Sequence, residues 1–134
     1  MPAHISCHAL LVVALPALLT ACNPMPELRT EAAYGASLFQ QSCADCHGAN
    51  AMGTPGLAPD LTTLSKRNGG SFPRDRILAQ IDGLGRHGDP DAVMPEFGAG
   101  DLGPAVVVEE EEGIGTPIPS DLIALAAYLI SIQQ

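Results

Sequence analysis

The sequence predicts an all-α domain of three to five short helices joined by long loops. Three observations carry that expectation. Apolar residues recur at helical spacing in three separated segments, β-branched runs are nearly absent, and the intervening stretches are rich in the helix-halting residues glycine and proline. At 134 residues the chain has room for one domain with one core, since single domains usually run about 100 to 150 residues. Large rings to fill that core are scarce: aromatics make up 4% of the chain, with no Trp, three Phe and two Tyr. A buried planar group would supply the missing apolar area, although Leu and small residues could also do so.

The N-terminal segment, residues 1–21, contains no Lys, Arg, Asp or Glu, and Ala9 to Leu19 is apolar apart from Pro16. That pattern reads as a secretory signal. It is shorter than the roughly 20 apolar residues of a membrane span, and Pro16 would interrupt its helix. The following Leu19-Thr20-Ala21-Cys22 resembles the lipobox of bacterial lipoproteins, which makes Cys22 the acylated first residue of the mature chain. Residues 22–30, including the Pro-rich Asn23 to Glu27, then form a tether, and residues 31–134 the folded domain.

The first helix is expected over Ala32 to Ser42, which has no β-branched residue and places Leu38 and Phe39 three and four positions after Gly35. Glycine costs a helix roughly 1 kcal/mol against alanine, so Gly35 implies a close approach by another element. This helix runs into Cys43-Ala-Asp-Cys46-His47, for which three chemistries compete. Structural zinc needs four protein ligands, and beyond His47 the chain offers His87 and no cysteine. A redox dithiol needs its CxxC between a strand and a helix, whereas here a helix precedes and a Gly/Pro/Ala loop, Gly48 to Pro59, follows. Covalent haem needs two thiols to add to vinyl groups and an imidazole beside them to meet the iron, and CxxCH supplies all three. Export agrees, because haem is attached to such motifs outside the cytoplasm.

Arg74 to Leu84 carries Ile77, Leu78, Ile81 and Leu84 at helical spacing, with Pro73 near its start and Gly85 past its end. Gly100 to Pro117 reads as an acidic loop insertion. Its Ala105 to Val108 is β-prone but runs into Glu109, Glu110, Glu111 and Glu112, whose mutual repulsion argues for an exposed, mobile excursion. The last helix follows Pro119, with Ser120 as its expected N-cap and Leu122, Leu125, Ala126 and Leu129 on one stripe.

Four features in this order resemble the class I c-type cytochromes: Gly35-x-x-Leu38-Phe39 leading to Cys43-x-x-Cys46-His47-Gly48, Gly56-Leu57-Ala58-Pro59-Asp60-Leu61, Val93-Met94-Pro95-Glu96-Phe97-Gly98, and Leu122 to Ile132 with Ala-Ala-Tyr-Leu at 126–129. The resemblance implies a class I cytochrome c fold wrapped round one covalently bound haem c. It implies that the Pro59 carbonyl orients His47, that Met94 is the second axial ligand, and that Tyr128 meets Gly35 where the outer helices cross. Among rivals for that ligand, Met52 lies five residues past His47, within about 17 Å of extended chain, which would stretch the loop round the haem edge. His87 remains the serious alternative to Met94. Lys66, Arg67, Arg74, Arg76 and Arg86 are candidates to pair with the haem propionates, and sequence does not choose among them.

A His/Met pair closes both axial positions, so the expected activity is single-electron transfer and not enzymatic turnover. Two other functions fit the same motif: an electron-accepting subunit of a dehydrogenase complex, and a haem ligand sensor or peroxidase-like enzyme with an open sixth site. Net charge is −9, from 15 acidic and 6 basic residues, which argues against nucleic acid and for redox partners with basic docking surfaces. The expected location is the periplasm, at a membrane held through Cys22.

Overall fold

The computed structural model describes residues 26–86, 88–111 and 113–134. Their order is helix α1 (Pro26–Ser42), the single turn α2 (Ala44–His47), the short α3 (Leu64–Arg67), α4 (Arg74–Asp82), a 3-10 turn at Phe97–Ala99, strands β1 (Ala105–Glu111) and β2 (Ile114–Pro119), and α5 (Ser120–Ser131). The expected signal segment, the lipid-bearing Cys22 and the rival ligand His87 lie outside the described residues. No helix among the described residues is long and apolar enough to cross a membrane.

The core forms where α1 crosses α5. Phe39 of α1 is 1% exposed and clusters with Leu122, Leu125, Ala126 and Leu129, the stripe expected of the last helix. Each of the Phe and Leu side chains contributes about 1.5–3 kcal/mol when fully buried. The Phe39 and Tyr128 rings pack tilted, with centroids 5.2 Å apart. A Cβ on Gly35 would stand 2.5 Å from the carbonyl carbon of Ala124 and 3.0 Å from Cβ of Tyr128. The inferred close approach therefore exists, and its nearest surface is the Ala124 main chain. The Tyr34 hydroxyl donates to Asp121 Oδ1 at 3.0 Å, tying the helices at a second point and raising the phenol's pKa. Ile77, Leu78 and Ile81 of α4 close the core from a third side.

Gln133 locks the C-terminus to the opposite wall. Its Nε2 donates to the carbonyls of Leu61 (2.8 Å) and Leu129 (2.7 Å), while its Oε1 accepts from the Ser65 amide at 2.8 Å. These bonds fasten α3 against the end of α5.

Four local expectations are corrected. First, α1 begins at Pro26, so residues 26–30 of the expected tether are helical; proline suits a first helical position, where its missing N–H costs nothing. Second, α4 stops at Gly83, not near Gly85: Gly83 takes the left-handed conformation (φ 103°), and Leu84, counted in the apolar stripe, is 63% exposed.

Third, Ser120 makes no capping bond, and Pro119 holds the N-cap position of α5. The orphan amides of that helix find main-chain acceptors instead, Ser120 N–H on Pro104 O at 2.9 Å and Asp121 N–H on Leu102 O at 3.1 Å. Fourth, the acidic insertion is a β-hairpin. Ala105 pairs with Pro119 and Val108 with Thr116, with a bulge between Glu109 and Glu111. The β-branched run Val106 to Val108 outweighs charge repulsion because the glutamates fall towards the tip, where Glu109 is exposed, while Ile118 anchors the base in the core. The helical architecture expected round the site is otherwise the one observed.

Candidate functional site

Two main-chain bonds shape the CxxCH segment. Cys43 N–H reaches back to Phe39 O (2.9 Å), closing α1, and His47 N–H bonds Cys43 O (2.9 Å), forming the single turn of α2. On such a turn positions i, i+3 and i+4 share a face, so Cys43, Cys46 and His47 all border one cavity. The cavity measures about 470 Å³, and its walls are mostly apolar, with Phe39, Leu125 and Leu129 at its base. It opens past Leu57 and Val93, which are 48% and 75% exposed.

His47 is 8% exposed, and its Nδ1 lies 3.1 Å from the carbonyl oxygen of Pro59. A carbonyl only accepts, so Nδ1 carries a proton, and in the neutral ring that tautomer leaves the lone pair on Nε2. The loop between them is held tightly enough to fix that bond. Gly53 N–H donates to His47 O at 2.8 Å, and Leu61 N–H to Ala51 O at 2.8 Å. Gly53 has φ 81°, and a Cβ there would stand 2.6 Å from both Ala58 O and the Pro59 carbonyl carbon, so glycine is required on both counts. Beyond Pro59, the Asp60 carboxylate accepts from Thr62 N and Thr62 Oγ1, each at 2.7 Å, and these bonds hold its pKa below the ordinary value.

The Cys43 and Cys46 thiols are free. Burial, with a smaller contribution from Cys46, pushes the Cys43 thiol up to about 11. A thiol so reluctant to ionise is poorly suited to dithiol exchange, which needs thiolate. Among the described residues no group of three or more His, Cys, Asp or Glu side chains is placed to hold a metal ion by itself.

Met94 lies on the same cavity, half-buried, its sulfur accepting from Gln80 Nε2 at 3.7 Å. Met52 does not line the cavity and is 55% exposed. Of the five basic candidates, Arg86 alone borders it. Arg67 is engaged with Asp60 O (2.6 Å), Arg76 with Asn68 Oδ1 (3.2 Å), and Arg74 pairs loosely with Asp75 (3.9 Å). Arg86 Nε and Nη1 are buried and have no partner among the described residues.

Residues 30–109 match the family described as cytochrome c oxidase, cbb3-type, subunit III. The chain belongs to that family. It is also 35% identical, over 101 residues, to the cbb3-type cytochrome c oxidase subunit CcoP of Rubrivivax gelatinosus; the match covers 75% of this chain and 26% of that relative. The chain thus spans about a quarter of that relative's length. As a cbb3-type subunit III domain it is a class I c-type cytochrome, an electron-transfer protein with a covalently bound haem c. The cavity suits that group: its walls are mostly apolar, it has two thiols on one face, an imidazole whose Nδ1 is held by Pro59, and buried cationic N–H groups that lack an acceptor among the described residues.

Sequence reasoning did not single out Gln80, Gly53 or Gln133. Gln80 was the most accessible of these, since it lies on the α4 turn that carries Ile77 and Ile81, both on the cavity wall.

Proposed function

We propose that this domain relays single electrons in the periplasm, with Cys43 and Cys46 as thioether attachment points and His47 and Met94 as the axial ligands. The observation that carries this reading is the shared cavity, in which the His47 ring is held by Pro59 (3.1 Å) and Met94 brings a thioether sulfur to the wall among the described residues. Haem supplies the one-electron chemistry. The protein's part is to bind, aim and insulate. The Pro59 bond fixes the tautomer that leaves Nε2 available, while the close packing of Gly53 on Pro59 and the Asp60–Thr62 bonds stiffen the loop on either side of it. Phe39, Leu125 and Leu129 exclude water, which together with a thioether ligand favours the reduced iron and a positive potential. The apolar rim at Leu57 and Val93 offers the short path to a partner that electron transfer requires. With His47 and Met94 both holding the iron, no position on it would remain for a substrate.

Met94→Ala tests the ligand assignment. The variant should lose the weak far-red charge-transfer band of sulfur-ligated ferric haem and bind cyanide or carbon monoxide readily, whereas the native protein resists both. An unaltered spectrum in the variant would remove Met94, and ready ligand binding by the native protein would favour the sensor or peroxidase-like reading.

A second reading follows from the relative, whose name places it in an oxidase complex: this domain serves as a fixed subunit handing electrons within an assembly. Purification from membranes in a stable complex supports the subunit, and recovery as a free protein supports the shuttle. A lipid on Cys22 belongs to either version, and metabolic labelling with a fatty acid, abolished by Cys22→Ser, tests it.

A further inference from the structure

Arg86 stands where the turn after α4 meets the segment that carries Met94. Its amide donates to Gly83 O at 2.8 Å, closing that turn. Its guanidinium uses Nη2 twice, on Gln80 O (2.8 Å) and on Pro95 O (3.2 Å), so one group staples α4 to the residue after Met94. Gln80 also donates its side-chain Nε2 to the Met94 sulfur at 3.7 Å. Met94 is thereby held between two residues that Arg86 joins.

The remaining donors of Arg86 point to a missing acceptor. Guanidinium carries five N–H groups. Both on Nη2 are engaged, while the one on Nε and the two on Nη1 are buried without a partner among the described residues. Open guanidinium donors shut away from water are unfavourable until an anion meets them. The wall on which it sits belongs to the haem cavity, and the anionic groups of a haem are its two propionate carboxylates.

We infer that Arg86 is the propionate anchor of this domain and, through Nη2, the positioning residue that couples the propionate to the Met94 segment. The inference deepens the proposed reading, since it rests on haem occupying this cavity. Two effects follow from the geometry. The fixed positive charge favours the reduced state, so removing it lowers the midpoint potential. Loss of the staple to Pro95 frees the Met94 segment, so an external ligand competes better for the iron.

The test uses the haem-loaded protein with Arg86→Gln, which removes the charge, and Arg86→Lys, which keeps it. In Arg86→Gln the propionate bending band in the resonance Raman spectrum should shift, the midpoint potential should fall, and imidazole should bind the ferric form about tenfold or more tightly, the scale expected for one charge-assisted bond. Arg86→Lys should keep most of the potential while still binding imidazole more tightly than wild type. A loaded Arg86→Gln protein with unchanged propionate band and potential overturns the inference. If that variant does not load haem, the wild type decides: the ferrous protein labelled with 15N-arginine should show a slowly exchanging Nε–H with a nuclear Overhauser contact to propionate methylene protons. An Nε–H that exchanges like free arginine and lacks this contact also overturns it. The Raman and NMR results do not depend on Met94, so a native protein without the far-red sulfur band would remove that ligand and leave the anchor standing.

Discussion

Gly35→Ala perturbs the helix crossing on which the whole domain rests. The added Cβ would lie 2.5 Å from the Ala124 carbonyl carbon, where carbon atoms ordinarily pack at about 3.5–4.0 Å, so α1 and α5 must part by about 1 Å or more. Tyr128 Cβ at 3.0 Å blocks a sideways escape. The obstacle is main chain and no rotamer change relieves it, which puts the cost near the upper end of the overpacking range, about 3 kcal/mol. Alanine returns about 1 kcal/mol through its better helix propensity. The net expectation is a loss of about 2 kcal/mol, or roughly 8 °C in Tm for a domain near 100 residues. Circular dichroism melts of wild type and variant at equal haem content measure it. A Tm equal to or above wild type would refute the close approach, because propensity alone predicts stabilisation.

Three further outcomes follow. Gln133→Ala leaves the Ser65 amide and the Leu61 and Leu129 carbonyls without this partner, and should cost about 1–3 kcal/mol in denaturant unfolding, with α3 exchanging amide protons first. Asp60 has a folded pKa below its unfolded value, so its stabilising contribution is complete above the unfolded value and is lost as pH falls through the folded one; Asp60→Asn keeps the acceptor for Thr62 and should flatten the pH dependence of stability on the acid side of the ordinary carboxylate range. If the redox partner is basic, replacing Glu109 to Glu112 with Gln slows electron transfer at low salt and has little effect at high salt, whereas equal low-salt rates would show that the hairpin takes no part in docking.

The parts of this protein legible in sequence were those written in local spacing. Cys43, Cys46 and His47 share a face because one helical turn makes them do so, and Leu122, Leu125, Ala126 and Leu129 form a stripe for the same reason. Gly83 and Gly85 are equally good helix stops locally. The choice falls on Gly83, whose Cβ position is only 2.9 Å from side-chain carbons of Glu96, a neighbour from a distant segment. The hairpin was masked by its own charge, since a run of glutamates outweighs a short valine run in any local reading, and its pairing partner begins only at Ile114. Arg86 carries the same charge as Lys66 or Arg74, and depth is not written in charge. Only the fold separates a guanidinium with buried open donors from one in water.

The hairpin base also gives the domain a port for length variation. Ala105 and Pro119 pair directly, so the inserted chain leaves and re-enters the body at one place, and the first amides of α5 are already satisfied by Leu102 and Pro104 before the hairpin begins. Beyond the Val108–Thr116 pair the tip can lengthen, shorten or exchange its sequence without moving either end, because closing a somewhat longer loop adds little entropy. The face that bears this hairpin can therefore diverge between related proteins while the cavity beside Cys43, Cys46 and His47 and the α1–α5 crossing stay unchanged.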